Sequence, residues 1–510
     1  MNPTLLERYN VPVPRYTSYP PANHFAPLAP TQYIKALDEA NAPDSPISIY
    51  IHIPFCHHLC HYCGCNSYPM QGPEAVRRYV EAIKREFDLL APHIDSARPI
   101  AQIHYGGGSP TALPVEMIAE LNAHFLARHA TIDRPEIAIE CHPGYLTEAD
   151  WRALTEAHFT RFSLGIQDFD TEVLRIVNRR PSLLPVGQIV DLLRSAGATI
   201  NMDFLYGLPR QTPDSFARTI EQAIALRPDR LVCFSYGHVP WVHKRQLALE
   251  RAGLPLDVDK QAMAKRAAEL LERAGYLPIG MDHFVLPDDE LALARAQHQL
   301  HRNFQGYCTR RTTAQVYALG VTGISQLEGA YLQNGRDIQA YVDRIEAGQL
   351  AIERGYLLSP TERLTRAVVE TLMCNHRLDW PELAARCATS VEALQGAVRL
   401  YDEGSRDTET EGAAHPGGLK APGYADVVPS GQGCAVQGQT SQTGPTPPTR
   451  QPSQLSTLNS QLSQMLSDGL IAITPTTLSM TEANSPFVRN LVAALDPQYE
   501  PTMASYSKPI

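Results

Sequence analysis

Six short runs of β-branched and aromatic residues, separated by amphipathic stretches of helical period, constrain this chain more than any other feature of its sequence. The runs are ISIYIHI (47–53), AQIHYG (101–106), EIAIEC (136–141), RFSLGIQ (161–167), INMDFLYG (200–207) and LVCFSYG (231–237). Between them EAVRRYVEAIKREFDLL (74–90), VEMIAELNAHFLARH (115–129), SLLPVGQIVDLLRSAG (182–197) and PDSFARTIEQAIAL (213–226) repeat apolar residues at three- and four-residue spacing. Strand alternating with helix builds a parallel sheet through right-handed crossovers. Six units fall short of a closed eight-fold barrel, so an open, partial (β/α)6 barrel of the α/β class is expected. Each unusual polar cluster in this region follows the end of a run, which gathers them on the carboxyl-end face where such folds keep their pockets.

The remaining boundaries follow from where that alternation stops. Residues 1–45 form an N-terminal arm, 46–285 the barrel, and 286–360 a connecting and substrate-pocket region. A small, mostly helical, winged-helix-like C-terminal domain is expected from 361–403 with 454–510. Its elements are helices at 364–380 and 391–404, then a helix, a turn and paired short strands over 454–480. The segment 404–453 is rich in Gly, Pro, Ser, Thr and Gln, a low-complexity insert that cannot build a core and is expected to be disordered. A formal charge of -10 argues against nucleic acid or an anionic membrane as partner. No secretory signal and no run of eighteen apolar residues is present, so a cytoplasmic location is expected.

Four of the ten cysteines fall within ten residues, in YIHIPFCHHLCHYCGCNSY, directly after the first run. Thiols in reducing cytosol stay unpaired, and a cluster this tight points to metal or redox chemistry. Cys56, Cys60 and Cys63 stand in C-x3-C-x2-C spacing, enough to hold three irons of a [4Fe–4S] cluster and leave the fourth open. Zinc is the alternative, but structural zinc sites usually draw two ligand pairs from separate places. Cys65 would be a strained fourth ligand so near Cys63.

The three-cysteine loop resembles the radical S-adenosylmethionine (SAM) signature, and PFCHHLCHYCGCN resembles that of the oxygen-independent coproporphyrinogen III oxidases. The likeness continues through PRYTSYP (14–20), YGGGSPT (105–111), SLGIQDFD (163–170), VNR (177–179), MDFLYGLPRQTP (202–213), FSYGHVP (234–240), GMDHF (280–284) and HRNFQGY (301–307). It implies an oxidoreductase with a [4Fe–4S] cluster and SAM as cofactors, Cys65 not being a ligand. The amino and carboxylate groups of SAM would chelate the open iron, and reductive cleavage would give a 5′-deoxyadenosyl radical. Removal of hydrogen from a propionate, with loss of carbon dioxide and one electron, would leave a vinyl group, twice per coproporphyrinogen III, in heme biosynthesis. A low-potential donor such as flavodoxin or ferredoxin is implied, and a monomer.

The same resemblance assigns SAM contacts to Tyr50, Tyr62, Gly107, Gly108, Ser109, Glu140, Gln167, Arg179, Asp203, Gly237 and Ile324, with the amides of Gly106, Gly107 and Gly108 as donors to its carboxylate. Ser109 replaces the family's usual threonine and Gly237 a common alanine. Cys141-His142 replaces valine-aspartate, which unsettles Glu140 more readily than it makes a second metal site. His52 would tune the cluster or simply fill the core. Arg15, His283, Arg302 and Gln305 are the candidates for holding the substrate's carboxylates, the alternative being that PRYTSYP only straps the N-terminus to the barrel and HRNFQGY only stabilises a loop. The alternative function is a heme-binding, heme-delivering relative on the same core.

Overall fold

A computed structural model of the chain describes residues 3–41, 45–310, 315–401 and 458–500. The six runs form the strands Ile47–Ile53, Ile100–Gly107, Thr131–Cys141, Arg161–Gln167, Thr199–Tyr206 and Arg230–Ser235. They pair in that order, all parallel. Helices Pro73–Leu90, Val115–Arg128, Glu148–Glu156, Val186–Ser195 and Pro213–Leu226 connect them. Two are closed by boxes in which Thr147 and Thr212 accept from the amides of Asp150 and Ser215, satisfying donors that the first helical turn leaves open.

Period-two alternation explains why the sheet curls as it does. The faces bearing Ile47, Ile49, Ile51 and Ile53, then Ile103 and Tyr105, Ile137 and Ile139, Phe162 and Leu164, Ile200, Met202 and Phe204 join one apolar core with the helices. Burying that set drives the layer packing. The alternate residues, Tyr50 and His52, Gln102 and His104, Glu136 and Glu140, Arg161 and Ser163, Asn201 and Asp203, take the opposite, interior face. A concave face lined with polar side chains is the wall of a site.

The sheet runs beyond the expected six strands to thirteen. Gln315–Leu319 adds a parallel neighbour to Ile47–Ile53, and Ile324–Gln326, Ala330–Asn334, Ile352–Leu357 and Ala26–Pro27 follow it antiparallel. His283–Val285 and Leu277–Ile279 extend the other edge. Among the described residues the two edges do not pair, so the barrel stays open. A separate hairpin, Leu300–Asn303 with Gly306–Thr309, carries Arg302 and Gln305.

The C-terminal region packs helices Pro360–Asn375, Trp380–Arg386, Val391–Gly396, Ser460–Ser467 and Val488–Leu495 around a three-stranded sheet of Arg377–Asp379, Thr477–Met480 and Ile471–Ile473. The helix expected over 364–380 instead stops at Asn375, capped by His376 in the left-handed region, and the next residues turn into strand. The one expected over 391–404 ends at Gly396. The arm is part of this second core: Tyr9, Val13, Tyr16 and Tyr19 pack with Val368, Leu372, Val488 and Leu491. The expected disordered insert 404–453 lies outside the described residues. Tyr401 and Leu458 pair in an antiparallel bridge, so the chain returns to the point where it left.

Candidate functional site

The cysteine loop leaves the carboxyl end of the first strand and is tied down along its length. The Tyr68 and Met70 amides donate to the carbonyls of Pro54 and Cys56 at 2.7 and 3.0 Å, the His61 amide to Val177 at 2.9 Å, and Asn178 Nδ2 to the Leu59 carbonyl at 2.9 Å. All four thiols of the loop are free. The Cys65 thiol, hydrogen-bonded to Cys63, lowers Cys63 to about 6 against the effect of burial, with help from Arg245. Burial, then the neighbouring Cys63 and Cys60, push Cys56 up to about 12. The loop alone thus supports a thiolate at Cys63 readily and resists one at Cys56, a resistance that bound iron cations would remove.

The donor set fits an iron–sulfur cluster. A Cβ at Gly108 would lie 3.0 Å from Cys56 Sγ, so glycine leaves that sulfur its room. Arg179 brings NH1 to 3.7 Å from Cys60 Sγ and to 3.1 Å from the Tyr62 hydroxyl, putting positive charge beside the thiols. Among the described residues no three His, Cys, Asp or Glu side chains converge on a single ion. Thiolates that each hold a different iron need no common point.

Most of the candidate SAM residues meet on the interior face behind this loop. Glu140 Oε1 lies 3.1 Å from His104 Nε2, Arg179 NH2 donates to the Gly165 carbonyl, and Asp203 accepts from Ser163 Oγ at 2.9 Å and Asn201 Nδ2 at 2.8 Å. Burial raises Asp203, opposed by those two donors. Gln167 adopts φ 69°, a left-handed bend at the end of its strand. Ser109 Oγ is 3.4 Å from Thr111 Oγ1. Gly237 lies in the cavity wall, where a Cβ would meet Arg15 at 3.1 Å. Ile324 lies instead in a small apolar cluster with Phe25, Tyr331 and Leu358.

One expectation changes, and two alternatives are decided as the sequence favoured. The Gly108 amide donates to the Ile53 carbonyl at 2.8 Å, so it is not free for a carboxylate. His52 has both ring nitrogens engaged. Nε2 faces the Asn66 carbonyl at 3.0 Å and must donate, and Nδ1 faces the Tyr50 hydroxyl at 3.2 Å, leaving no N–H for a cluster sulfide. Cys141 is buried with Sγ directed at the Ile139 carbonyl, while His142 Nδ1 accepts from the Gly144 amide at 3.1 Å; the two do not form a ligand pair.

Gln246 Nε2 donates to the carbonyls of Tyr62 in the loop and of Gly237 at 3.2 and 3.3 Å, and Gly237 belongs to the wall of a cavity of about 610 Å³ that all four substrate candidates, Arg15, His283, Arg302 and Gln305, line. Arg302 NH1 donates to the carbonyls of Arg15 and Tyr16 at 2.8 and 3.0 Å. Its Nε and the Gln305 amide nitrogen are buried without a hydrogen-bond partner among the described residues, an arrangement that calls for a polar ligand. Sequence reading missed two further cations of this wall, Lys260 and Arg489. Burial, then the charges of Arg15 and Arg302, bring Arg489 down to about 9. Asp282, 2.7 Å from His283 Nδ1, is held low despite burial by His283, Arg302 and Arg15. A wall so rich in cations, with aromatic Phe234, Trp241, Phe304 and Tyr307, suits a large apolar body bearing several carboxylates.

The radical SAM superfamily model matches residues 50–223. An oxygen-independent coproporphyrinogen III oxidase of Pseudomonas aeruginosa is 41% identical over 387 residues, covering 74% of this chain and 83% of its own. One from Synechocystis is 37% identical over 384 residues, covering 75% and 82%. A solved coproporphyrinogen III oxidase from Escherichia coli, described as a radical SAM enzyme, superposes with a TM-score of 0.79 at 29% identity, over 98% of this chain and 99% of that one.

Proposed function

The chain belongs to the oxygen-independent coproporphyrinogen III oxidases of the radical SAM superfamily, and from that membership we propose how its own residues carry the reaction. The enzyme converts two propionates of coproporphyrinogen III to vinyl groups without oxygen, giving protoporphyrinogen IX. The relatives' shared oxidase name decides against the heme-delivery alternative. When bound, the [4Fe–4S] cluster and SAM supply the electron and the hydrogen-abstracting fragment, SAM leaving as methionine and 5′-deoxyadenosine.

Cys56, Cys60 and Cys63 would hold three irons, with Arg179 compensating the thiolate charge at Cys60. Glu140 and Asp203 accept hydrogen bonds from the amino and hydroxyl groups of SAM, while Tyr50, Tyr62, Gly107, Ser109, Gln167 and Gly237 shape its bed. Gly108 contributes room at Cys56 rather than its amide. Arg15, Arg302, Arg489 and Lys260 pair with substrate carboxylates, and His283 and Gln305 add hydrogen bonds. The aromatic wall covers the macrocycle and excludes water, which strengthens those pairs.

The observation that carries this reading is the bridge through Gln246 from a three-thiol loop to the wall of a cavity that holds several cations and unsatisfied donors. Among the described residues no helix is long and apolar enough to cross a membrane. The reading includes a monomer in the cytoplasm that takes electrons from a flavodoxin- or ferredoxin-like donor. Anaerobic incubation with coproporphyrinogen III, SAM and a low-potential reductant, followed by mass analysis, tests it. Loss of two carbon dioxide units and four hydrogens per porphyrin, with one 5′-deoxyadenosine for each carbon dioxide, is expected; unchanged porphyrin would overturn it.

A further inference from the structure

His104 occupies the second barrel strand on its interior face and is 4% exposed. Its Nδ1 lies 3.3 Å from Arg161 NH2 and its Nε2 3.1 Å from Glu140 Oε1. A guanidinium only donates, so Nδ1 is the acceptor and the proton sits on Nε2, directed at the carboxylate. Arg161 therefore sets the tautomer. The guanidinium is itself fixed from below, with NH2 donating to Glu136 Oε1 at 3.1 Å and Gln102 Nε2 donating to the same oxygen at 2.6 Å. Burial alone would raise Glu136, but the charges of Arg161 and Arg230 hold it at about 2, so the column has a firm anionic base.

The upper end of the column is gripped from two more sides. The Tyr50 ring stacks on His104 with centroids 5.9 Å apart and planes at 30°. At Gly106 a Cβ would lie 2.7 Å from Glu140 Oε1 and 3.0 Å from Tyr50 Cε2, so the carboxylate occupies space that any side chain there would take. The Glu140 side chain is nevertheless 42% exposed. Without a donor behind it, a half-exposed glutamate has rotamer freedom to lose when it meets a ligand.

We propose that His104 is a positioning residue for SAM binding, presenting Glu140 and Tyr50 in their binding orientation, with Arg161 and Glu136 fixing the histidine. This rests on the reading that Glu140 touches SAM. Hydrogen-bond partners that orient metal ligands change affinity by roughly ten- to a hundredfold when removed, and about the lower end of that range is expected for a partner that orients a carboxylate.

The test is anaerobic equilibrium dialysis of SAM against reconstituted holoenzyme, with iron and sulfide content measured on each sample. His104→Phe keeps a ring against Tyr50 but removes both hydrogen bonds, and should weaken SAM roughly tenfold with cluster content unchanged. His104→Gln retains an acceptor for Arg161 and a donor for Glu140, and should stay within about threefold of the parent. In a Glu140→Ala background, His104→Phe should add little, since coupled residues are not additive. Parent-like SAM affinity in His104→Phe, or equal loss in the Gln variant, overturns the proposal. Should the Phe chain be insoluble, His104→Ala is read against His104→Gln by the same criteria. If Glu140→Ala itself binds SAM normally, the underlying reading fails; if it weakens SAM while His104→Phe does not, only the positioning role fails.

Discussion

Replacing Arg302 by methionine separates a substrate-binding role from a purely structural one. Its guanidinium makes two hydrogen bonds, to the Arg15 and Tyr16 carbonyls at 2.8 and 3.0 Å, and sits 5.2 Å from the centre of the Tyr307 ring. Losing two bonds from a charged donor costs about 3 kcal/mol. Removing its repulsion with Arg15 and Arg489 offsets about 1 kcal/mol of that. The net loss of about 2 kcal/mol should lower Tm by roughly 2 °C in a chain of 510 residues. Substrate binding should suffer more. A carboxylate left without its cation in a buried site costs about 2.7 kcal/mol, near a hundredfold in Kd. Quenching of tryptophan emission by coproporphyrin III reads this directly, because Trp241 lies in the cavity wall and is 65% exposed, whereas Trp151 and Trp380 are buried. A lowered Tm with Kd changed less than about threefold would show that Arg302 only straps the arm, and the carboxylate assignment would be wrong.

Changing Cys56, Cys60 or Cys63 to serine should each abolish SAM cleavage, while Cys65→Ser should retain iron and sulfide; colorimetric iron and sulfide assays with 5′-deoxyadenosine detection decide, and retained cleavage in any of the first three would refute the ligand set. Deleting 404–453 should leave Tm and cluster content close to the parent, since Tyr401 and Leu458 already pair; insoluble protein would contradict this. Glu86, which accepts from the Tyr341 hydroxyl at 2.6 Å and the Gly320 amide at 2.8 Å, is pushed by burial up to about 7. A carboxyl raised on folding contributes fully below its ordinary range and loses that contribution as pH rises through about 7. Relative to Glu86→Gln, the parent should thus lose on the order of 3 kcal/mol between pH 4 and 8, and parallel stability curves in urea would disprove it.

The barrel was legible because its strands are buried on one face by isoleucine, leucine and phenylalanine at period two, and because intervening helices are long enough to show their own period. Strands such as Ile324–Gln326 and His283–Val285 were not, since three residues are too few to display any period. The four substrate candidates came from motifs far apart in sequence, yet the arm, the sixth strand's neighbour and the hairpin bring them to one wall. Arg489 was hidden in a helix buried on nearly every side, where an arginine between apolar residues looks like a surface position. The interior column left a readable trace: Gln102 and His104 in one strand, Glu136 and Glu140 in the next, are polar residues alternating inside runs that are otherwise core. What spacing could not give was hydrogen-bond use, which is why the Gly108 amide and the His52 ring proved to be committed to backbone partners.

With Cys56, Cys60 and Cys63 as its ligands, the cluster would keep one corner available to SAM, and electron paramagnetic resonance of the reduced, reconstituted enzyme, recorded with and without SAM, decides whether it does. An open iron that takes up the amino and carboxylate groups should shift the spectrum of the same cluster on SAM addition. Superimposable spectra at saturating SAM, with a full cluster present, would contradict it.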